Sequence, residues 1–156
     1  MVRYRRNGLG EKSPVNRPKR GEVYLVSFDP APGPEITKTR PAVVVQNDYS
    51  NRSSPVTIVA AITSRFDEPL YPTEVLIRTR EGGVTRDSVV LLNQIRTIGC
   101  QRLVKRLGML KPATIAAVNR AIQISLGLTD LAKNSGNYSG RFPTGGFPRG
   151  DDVRGG

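Results

Sequence analysis

Short apolar runs alternate with polar turns through the middle of the chain, and this pattern predicts a series of short β-strands. The runs are rich in Val, Ile and aromatic residues, which favour strands, and segments of Gly, Pro, Asn and Ser separate them. Five strands are predicted, at residues 23–28, 42–46, 56–62, 74–78 and 88–92. Many short strands spaced by turns are typical of a small barrel, whereas an α/β sheet would alternate strands with helices.

One helix is predicted after these strands. Pro112 suits a first helical position, and Gly127 can cap the end. Apolar residues recur at intervals of three and four, at Ile115, Val118, Ile122 and Leu126. That spacing places them on one face, which we expect to lie buried across the barrel, so that the fold class is mainly β with a helix, α+β.

Polar segments flank this region on both sides. Residues 1–20 carry seven basic side chains and one acid, a charge of +6, with almost no apolar periodicity. Residues 129–156 are dominated by Gly, Ser, Pro, Arg and Asp. We expect a disordered basic arm over 1–20, one folded domain over 21–128 and a disordered Gly-rich tail over 129–156. The arm is either a solubilising tail or a nonspecific tether for a polyanionic partner, and both interpretations stay open.

Charge and cysteine content narrow the class of protein. The net charge of +11 over 156 residues indicates a polyanionic partner or serves solubility. Cys100 is the one cysteine and the chain has no histidine, so it can form no internal disulfide and cannot assemble the usual zinc ligands. No apolar run approaches the roughly 20 residues that span a bilayer. We therefore expect a cytoplasmic protein without a membrane segment, metal or cofactor.

Five sequence blocks occur in an order and spacing that resemble the MazF/PemK family of toxins. They are RGEVYLVSFDP (20–30), TRPAVVVQND (39–48), SPVTIVAAITS (54–64), RDSVVLLNQIRTI (86–98) and ISLGL (124–128). The resemblance implies an SH3-like small β-barrel with a C-terminal helix, a homodimer, and the toxin role in a type II toxin-antitoxin system. It further implies sequence-specific, metal-independent cleavage of single-stranded RNA or mRNA, leaving 2′,3′-cyclic phosphate and 5′-hydroxyl ends. A MazE-like antitoxin is the expected protein partner.

The resemblance also implies the site residues. The Arg of the Arg-Pro pair and the Thr that ends the AAIT block are the family's catalytic residues, and they correspond to Arg40 and Thr63. The residues expected to bind RNA are Glu35, Lys38, Gln94 and Arg96. Two departures from the usual pattern, Pro34 and Asn93, indicate a different substrate preference.

Residue chemistry supports these roles without deciding them. Arginine matches two phosphate oxygens with a fixed fork of donors, but its usual pKa above about 12 makes it a poor base, so charge stabilisation is the expected role of Arg40. From spacing alone, Arg40 fits a surface ion pair better, and Thr63 fits a polar strand end. Two other functions compete: a non-catalytic RNA-binding module, and a CcdB-like toxin directed at gyrase. The CcdB type depends on a Trp near the C-terminus, and this chain has no Trp.

Overall fold

The computed structural model describes residues 17–28 and 38–129, which form six strands and two α-helices. The strands are β1 (Glu22–Ser27), β2 (Thr39–Val44), β3 (Val56–Thr63), β4 (Glu74–Ile77), β5 (Ser88–Gly99) and β6 (Leu103–Met109). The helices are α1 (Asp48–Asn51), between β2 and β3, and α2 (Pro112–Ser125), after β6. Short 3-10 turns at Glu81–Gly83 and Cys100–Arg102 precede β5 and β6.

The strands form one antiparallel sheet in the order β4-β5-β3-β2-β1-β6. The predicted α+β class with a C-terminal helix is confirmed. Hydrogen-bonded pairing among the described residues leaves β4 and β6 as the two edges, so the barrel is not closed by a backbone ladder. The pairing of β3 with β5 slips between Ala60 and Ala61, which face Ile95 and Leu91. The three extra residues in β5 bend that long strand across the end of β3.

Both faces of the sheet are covered by buried apolar side chains. One cluster, which contains Val43 and Ile62, packs against Val118 and Ala121 of α2. The second cluster lies on the other face, because successive side chains along a strand alternate between faces. It contains Tyr24, Val26, Phe28, Ala42, Val44, Val59, Ala61, Ile98, Cys100 and Leu103. The helix is therefore buried on one side as predicted, except at Leu126, which follows the last helical residue and is 60% exposed.

Three strands of the structure differ from the prediction. The second predicted strand covers residues 42–46, whereas β2 covers Thr39–Val44 and so includes Arg40. The fifth predicted strand ends at residue 92, whereas β5 continues to Gly99. The sequence pattern did not predict β6, where Lys105 and Arg106 interrupt the apolar residues. β6 lies at an edge of the sheet and leaves most of its side chains accessible to water, so its apolar alternation is weak.

The end of the predicted arm contacts the folded domain. The backbone N–H of Arg20 donates to Asp48 Oδ1 over 2.7 Å, and its guanidinium donates to the Val45 carbonyl and to Asn119 Oδ1. The rest of the predicted arm and nearly all of the predicted tail, residues 1–16 and 130–156, lie outside the described residues. In the part that the structure describes, neither helix has the length and apolar character needed to cross a membrane.

Candidate nucleic-acid interface

The register of β2 and β3 brings together the two predicted catalytic residues. Ala42 pairs with Ala61 in the antiparallel ladder, and the same register carried two residues further sets Arg40 across from Thr63. Side chains at directly opposed positions of such a pair usually have their Cβ atoms about 5 Å apart. Arg40 is exposed and Thr63 is half-buried, so both side chains can reach a ligand in solvent.

Arg40 and Thr63 lie on the same face of the sheet. Arg40 is two residues from Ala42 along β2, and Thr63 is two residues from Ala61 along β3, so each pair shares a face. Ala42 and Ala61 both belong to the cluster that contains Phe28. The two polar side chains therefore lie at the rim of that cluster, where β2 begins and β3 ends.

The Thr63 hydroxyl is positioned by a local turn. Its oxygen accepts the backbone N–H of Arg65 over 3.1 Å. Its proton is directed at the Arg65 carbonyl over 3.4 Å, a long contact that contributes little. A short turn thus holds the oxygen in place while the proton remains available to an incoming anionic oxygen.

Arg96 approaches the same face from β5. It is paired with Val59, and its guanidinium carbon lies 5.5 Å from the centroid of the Phe28 ring. Its Nη1 donates to the Phe28 carbonyl over 3.4 Å. Arg96 is therefore held against the end of β1, near the strand residue Val26 that pairs with Arg40.

The other predicted RNA-binding residues have different positions. Lys38 is exposed with a φ of 66°, and its carbonyl accepts the N–H of Phe28 over 2.9 Å, which closes the base of the loop between β1 and β2. Glu35 belongs to that loop and lies outside the described residues. Gln94 is half-buried and lies where the register of β5 slips, so simple alternation with Arg96 does not fix its direction.

A further arginine that the sequence did not predict, Arg102, lies at this rim. Arg102 Nη1 donates to the Ser27 carbonyl over 3.1 Å, beside Val26, the residue that faces Arg40. Arg102 comes from the turn before β6, and the pairing of β6 with β1 brings it here. No local motif marks it, because its position depends on a strand that the pattern did not predict.

Two other kinds of catalytic group, a reactive thiol and a bound metal, find little support among the described residues. Cys100 is buried, and burial raises the pKa of its thiol, which keeps it in the unreactive protonated form at neutral pH. Within residues 17–28 and 38–129, no group of three His, Cys, Asp or Glu side chains is arranged to hold a metal ion. This face instead offers guanidinium donors and the Thr63 hydroxyl around the place where β2 begins and β3 ends.

Comparison with known proteins gives the same family that the sequence blocks indicate. Residues 19–126 match the family model described as PemK-like, MazF-like toxin of type II toxin-antitoxin system. The chain is 46% identical over 113 residues to Endoribonuclease EndoA of Bacillus subtilis (strain 168), which covers 72% of this chain and 97% of that protein.

Solved structures of relatives share the fold. An endoribonuclease in complex with its cognate antitoxin, from Mycobacterial species, is 26% identical with a TM-score of 0.61, over 72% of this chain and 98% of its own. MazF from Deinococcus radiodurans is 26% identical with a TM-score of 0.62, over 70% and 96% of the two chains.

Proposed function

The chain belongs to the PemK-like, MazF-like family of toxins from type II toxin-antitoxin systems, and from that premise we propose that it is an endoribonuclease acting on single-stranded RNA. One relation supports the proposed site: the β2–β3 register, extended two residues beyond the pair Ala42–Ala61, puts Arg40 across from Thr63, at the rim where Arg96 and Arg102 also lie. The likeness to an endoribonuclease at 46% identity supports the reaction class.

The arginines at this rim would bind the RNA backbone. Arg96 and Arg102 each donate to a backbone carbonyl, a neutral acceptor, so these bonds position the guanidinium groups without neutralising them. Arginine forks match the oxygens of a phosphate, so these side chains would orient the strand across the sheet. Lys38, at the base of the loop between β1 and β2 and two residues before Arg40 in the sequence, adds a fourth cation to this part of the chain.

In the proposed reaction the RNA supplies its own nucleophile. The 2′-oxygen forms a bond to the adjacent phosphorus and the bond from phosphorus to the 5′-oxygen breaks. The proton of the 2′-hydroxyl passes to solvent, and the departing 5′-oxygen takes up a proton. The Arg40 fork and the Thr63 hydroxyl would donate to the non-bridging oxygens, on which negative charge builds in the transition state. The products are a 2′,3′-cyclic phosphate and a 5′-hydroxyl, and the step requires neither metal nor cofactor.

The proposed partners follow from charge and from the relatives. One relative is solved with its cognate antitoxin. For this chain we expect a MazE-like antitoxin whose acidic segment covers the same arginines, because opposite charge favours such an encounter with a protein of net charge +11. We further propose a homodimer in the cytoplasm, where its mRNA substrate is present and a lone cysteine stays reduced.

A cleavage assay with a modified substrate tests the proposal. Purified protein is incubated with mixed-sequence single-stranded RNA and a chelator, and the cut sites and the ends of the fragments are determined. A second RNA carries one 2′-deoxynucleotide immediately 5′ of the mapped cut site. We expect cleavage in chelator, cyclic phosphate ends, and no cleavage at the deoxy position.

Other outcomes of this assay would support a different mechanism or a different function. Cutting that resumes only on adding a divalent metal would contradict a metal-independent reaction, and cutting at the deoxy position would contradict attack by the 2′-hydroxyl. Binding without products would favour the non-catalytic RNA-binding module, and failure to bind RNA would favour a toxin that acts by protein contact.

A further inference from the structure

A second exposed surface with aromatic and basic side chains lies far from Arg40 along the sheet. β2 runs from Thr39 to Val44, and α1 follows at Asp48–Asn51, so α1 lies beyond the end of β2 opposite to Arg40. A strand rises about 3.3 Å per residue, which puts Val44 roughly 13 Å from Arg40 and α1 further still. The site at Arg40 does not include this surface.

Tyr49 of α1 is the most exposed large apolar side chain among the described residues, at 80%. The guanidinium carbon of Arg52 lies 5.8 Å from the centroid of its ring. The Tyr49 ring is not packed in the core, so its exposed face contributes nothing to the packing of the domain. An arginine beside an accessible ring is the combination that stacks on a base and contacts the adjoining phosphate.

The turn that carries Tyr49 is rigidly attached to the sheet. Asn51 is 3% exposed, and its Nδ2 donates to the Gln46 carbonyl over 2.9 Å. Its Oδ1 accepts from Gln46 Nε2 and from the Thr57 hydroxyl. Asn47 accepts the Ser50 N–H over 2.8 Å and caps the start of the turn. The ring is thus presented on a fixed support, which reduces the entropy lost when a ligand binds.

The basic segment 17–20 joins the domain at the same place. Its Arg20 N–H donates to Asp48 Oδ1, next to Tyr49. The Arg20 guanidinium donates to the Val45 carbonyl and to Asn119 Oδ1, both neutral, so its charge remains available to an anion. The nearby carboxylate of Glu22 is paired with Arg106. Asp48 is therefore the acidic side chain that remains beside the several cations of segment 17–20 and Arg52.

The sequence that precedes segment 17–20 is also positively charged. Residues 1–16 carry four basic side chains and one acidic side chain. They precede residue 19, where the match to the family model begins, and Arg20, which follows, lies beside α1. A positively charged segment beside an exposed ring resembles the arrangement used for single strands, in which charge follows the backbone and aromatic rings stack on bases.

We propose that Tyr49, Arg52 and the segment 17–20 form a second contact for single-stranded RNA, which holds nucleotides that flank the cut site. We call it the Tyr49 surface. The inference rests on the proposed function for the identity of the strand. Stacking and phosphate contact carry little base specificity, so the surface would increase affinity for long substrates without choosing the sequence that is cut.

Kinetics on two RNAs of different length test the inference. Both share one cut site; one RNA is about 6 nucleotides long and the other about 25, which brackets the usual footprint of a single-strand site. The full-length chain is compared with Tyr49→Ala and with Tyr49→Ala/Arg52→Gln. The control is Arg80→Gln, an exposed arginine in the turn before β5.

We expect the variants to raise KM for the long RNA roughly fivefold, the low end of what loss of one stacked base costs, with kcat unchanged. KM for the short RNA should not change, nor should either value in the control. Equal KM values for parent and variants on the long RNA would overturn the inference, and so would equal loss on both RNAs, since that would indicate a disturbed catalytic site.

A binding measurement separates this inference from the proposed function. A long RNA with a 2′-deoxynucleotide at the cut site is titrated by fluorescence anisotropy at several salt concentrations. Arg52→Gln should reduce the log-log salt slope by about 0.7, the value for one phosphate contact on a single strand. If Arg52→Gln lowers the salt slope of RNA binding as expected but the parent never cuts RNA, the proposed function fails and the Tyr49 surface stands. If the parent cuts RNA and Arg52→Gln keeps the parent slope, the Tyr49 surface alone fails.

Discussion

Arg96 rests on Phe28: its guanidinium carbon lies 5.5 Å from the ring centroid, and its Nη1 donates to the Phe28 carbonyl. Phe28 is only 1% exposed, so the ring is a fixed part of the core. The cation is thereby held beside the start of the loop between β1 and β2. Its planar group is oriented before any ligand arrives, and the position depends on the shape of the guanidinium as well as its charge.

Arg96→Lys tests whether that shape matters. Lysine keeps the charge but loses the planar fork and most of the contact with the Phe28 ring. We expect KM for RNA to rise roughly two- to fivefold, which corresponds to the low end of the range for one cation–π contact, while kcat stays within about twofold. Steady-state cleavage kinetics measure both values. Arg80→Lys serves as the matched control, and unchanged KM in Arg96→Lys would contradict the assignment.

Arg40→Ala should lower kcat by at least about 10²- to 10³-fold, the usual cost of losing one donor to a developing anion. Because Arg40 is exposed, the variant should unfold at the parent temperature. Single-turnover cleavage and thermal denaturation measure the two properties. Cleavage at the parent rate by the folded variant would remove Arg40 from the mechanism.

The hydroxyl of Thr63 is tested by a pair of substitutions. Thr63→Val removes the hydroxyl at almost constant shape, and Thr63→Ser keeps it, together with its capacity to accept the Arg65 N–H. We expect a rate loss of about 10²-fold for Val and less than about tenfold for Ser, measured as kcat on a short RNA. Equal losses for both would indicate that the methyl group, and not the hydroxyl, is what the site needs.

Gly83→Ala should be much more destabilising than Gly127→Ala. Both glycines have a positive φ, 79° and 70°, but a Cβ on Gly83 would lie 2.2 Å from the Leu107 carbonyl oxygen, whereas nothing lies within 4 Å at Gly127. The left-handed backbone alone costs alanine about 1–2 kcal/mol, and the clash should add roughly 2 kcal/mol at Gly83. Urea denaturation gives the difference. Equal losses would show that β6 shifts freely away from the turn.

Glu74→Gln should change how stability depends on pH. Burial raises the pKa of the Glu74 carboxyl above its ordinary value of 4.5, and the charge of Asp67 adds to this rise. A carboxyl with a raised folded pKa contributes stability below pH 4.5, and that contribution is lost as pH rises through the folded pKa.

Relative to the parent, Glu74→Gln should therefore gain stability as pH rises from about 4.5 towards 7, by no more than about 1 kcal/mol because solvent screens a half-exposed group. Urea denaturation at both pH values tests this, with Glu68→Gln, an exposed carboxyl in the preceding loop, as control. A constant difference between parent and Glu74→Gln at the two pH values would refute it.

The sequence by itself determined the local elements and the family. Short apolar runs separated by polar turns predicted strands close to β1, β2, β3 and β4, and the spacing of Ile115, Val118 and Ile122 predicted α2. These patterns succeed because burial of one face imposes its period on nearby residues. The five ordered blocks indicated the toxin family, which the match over residues 19–126 confirms.

Only the tertiary structure decided which side chains meet. The β2–β3 register sets Arg40 across from Thr63, and the pairing of β6 with β1 brings Arg102 to the same rim. The sequence missed β6 because an exposed edge strand needs little apolar alternation. Pairing between distant strands depends on contacts that no local pattern encodes, and so does the hydrogen bond between Arg20 and Asp48, beside Tyr49.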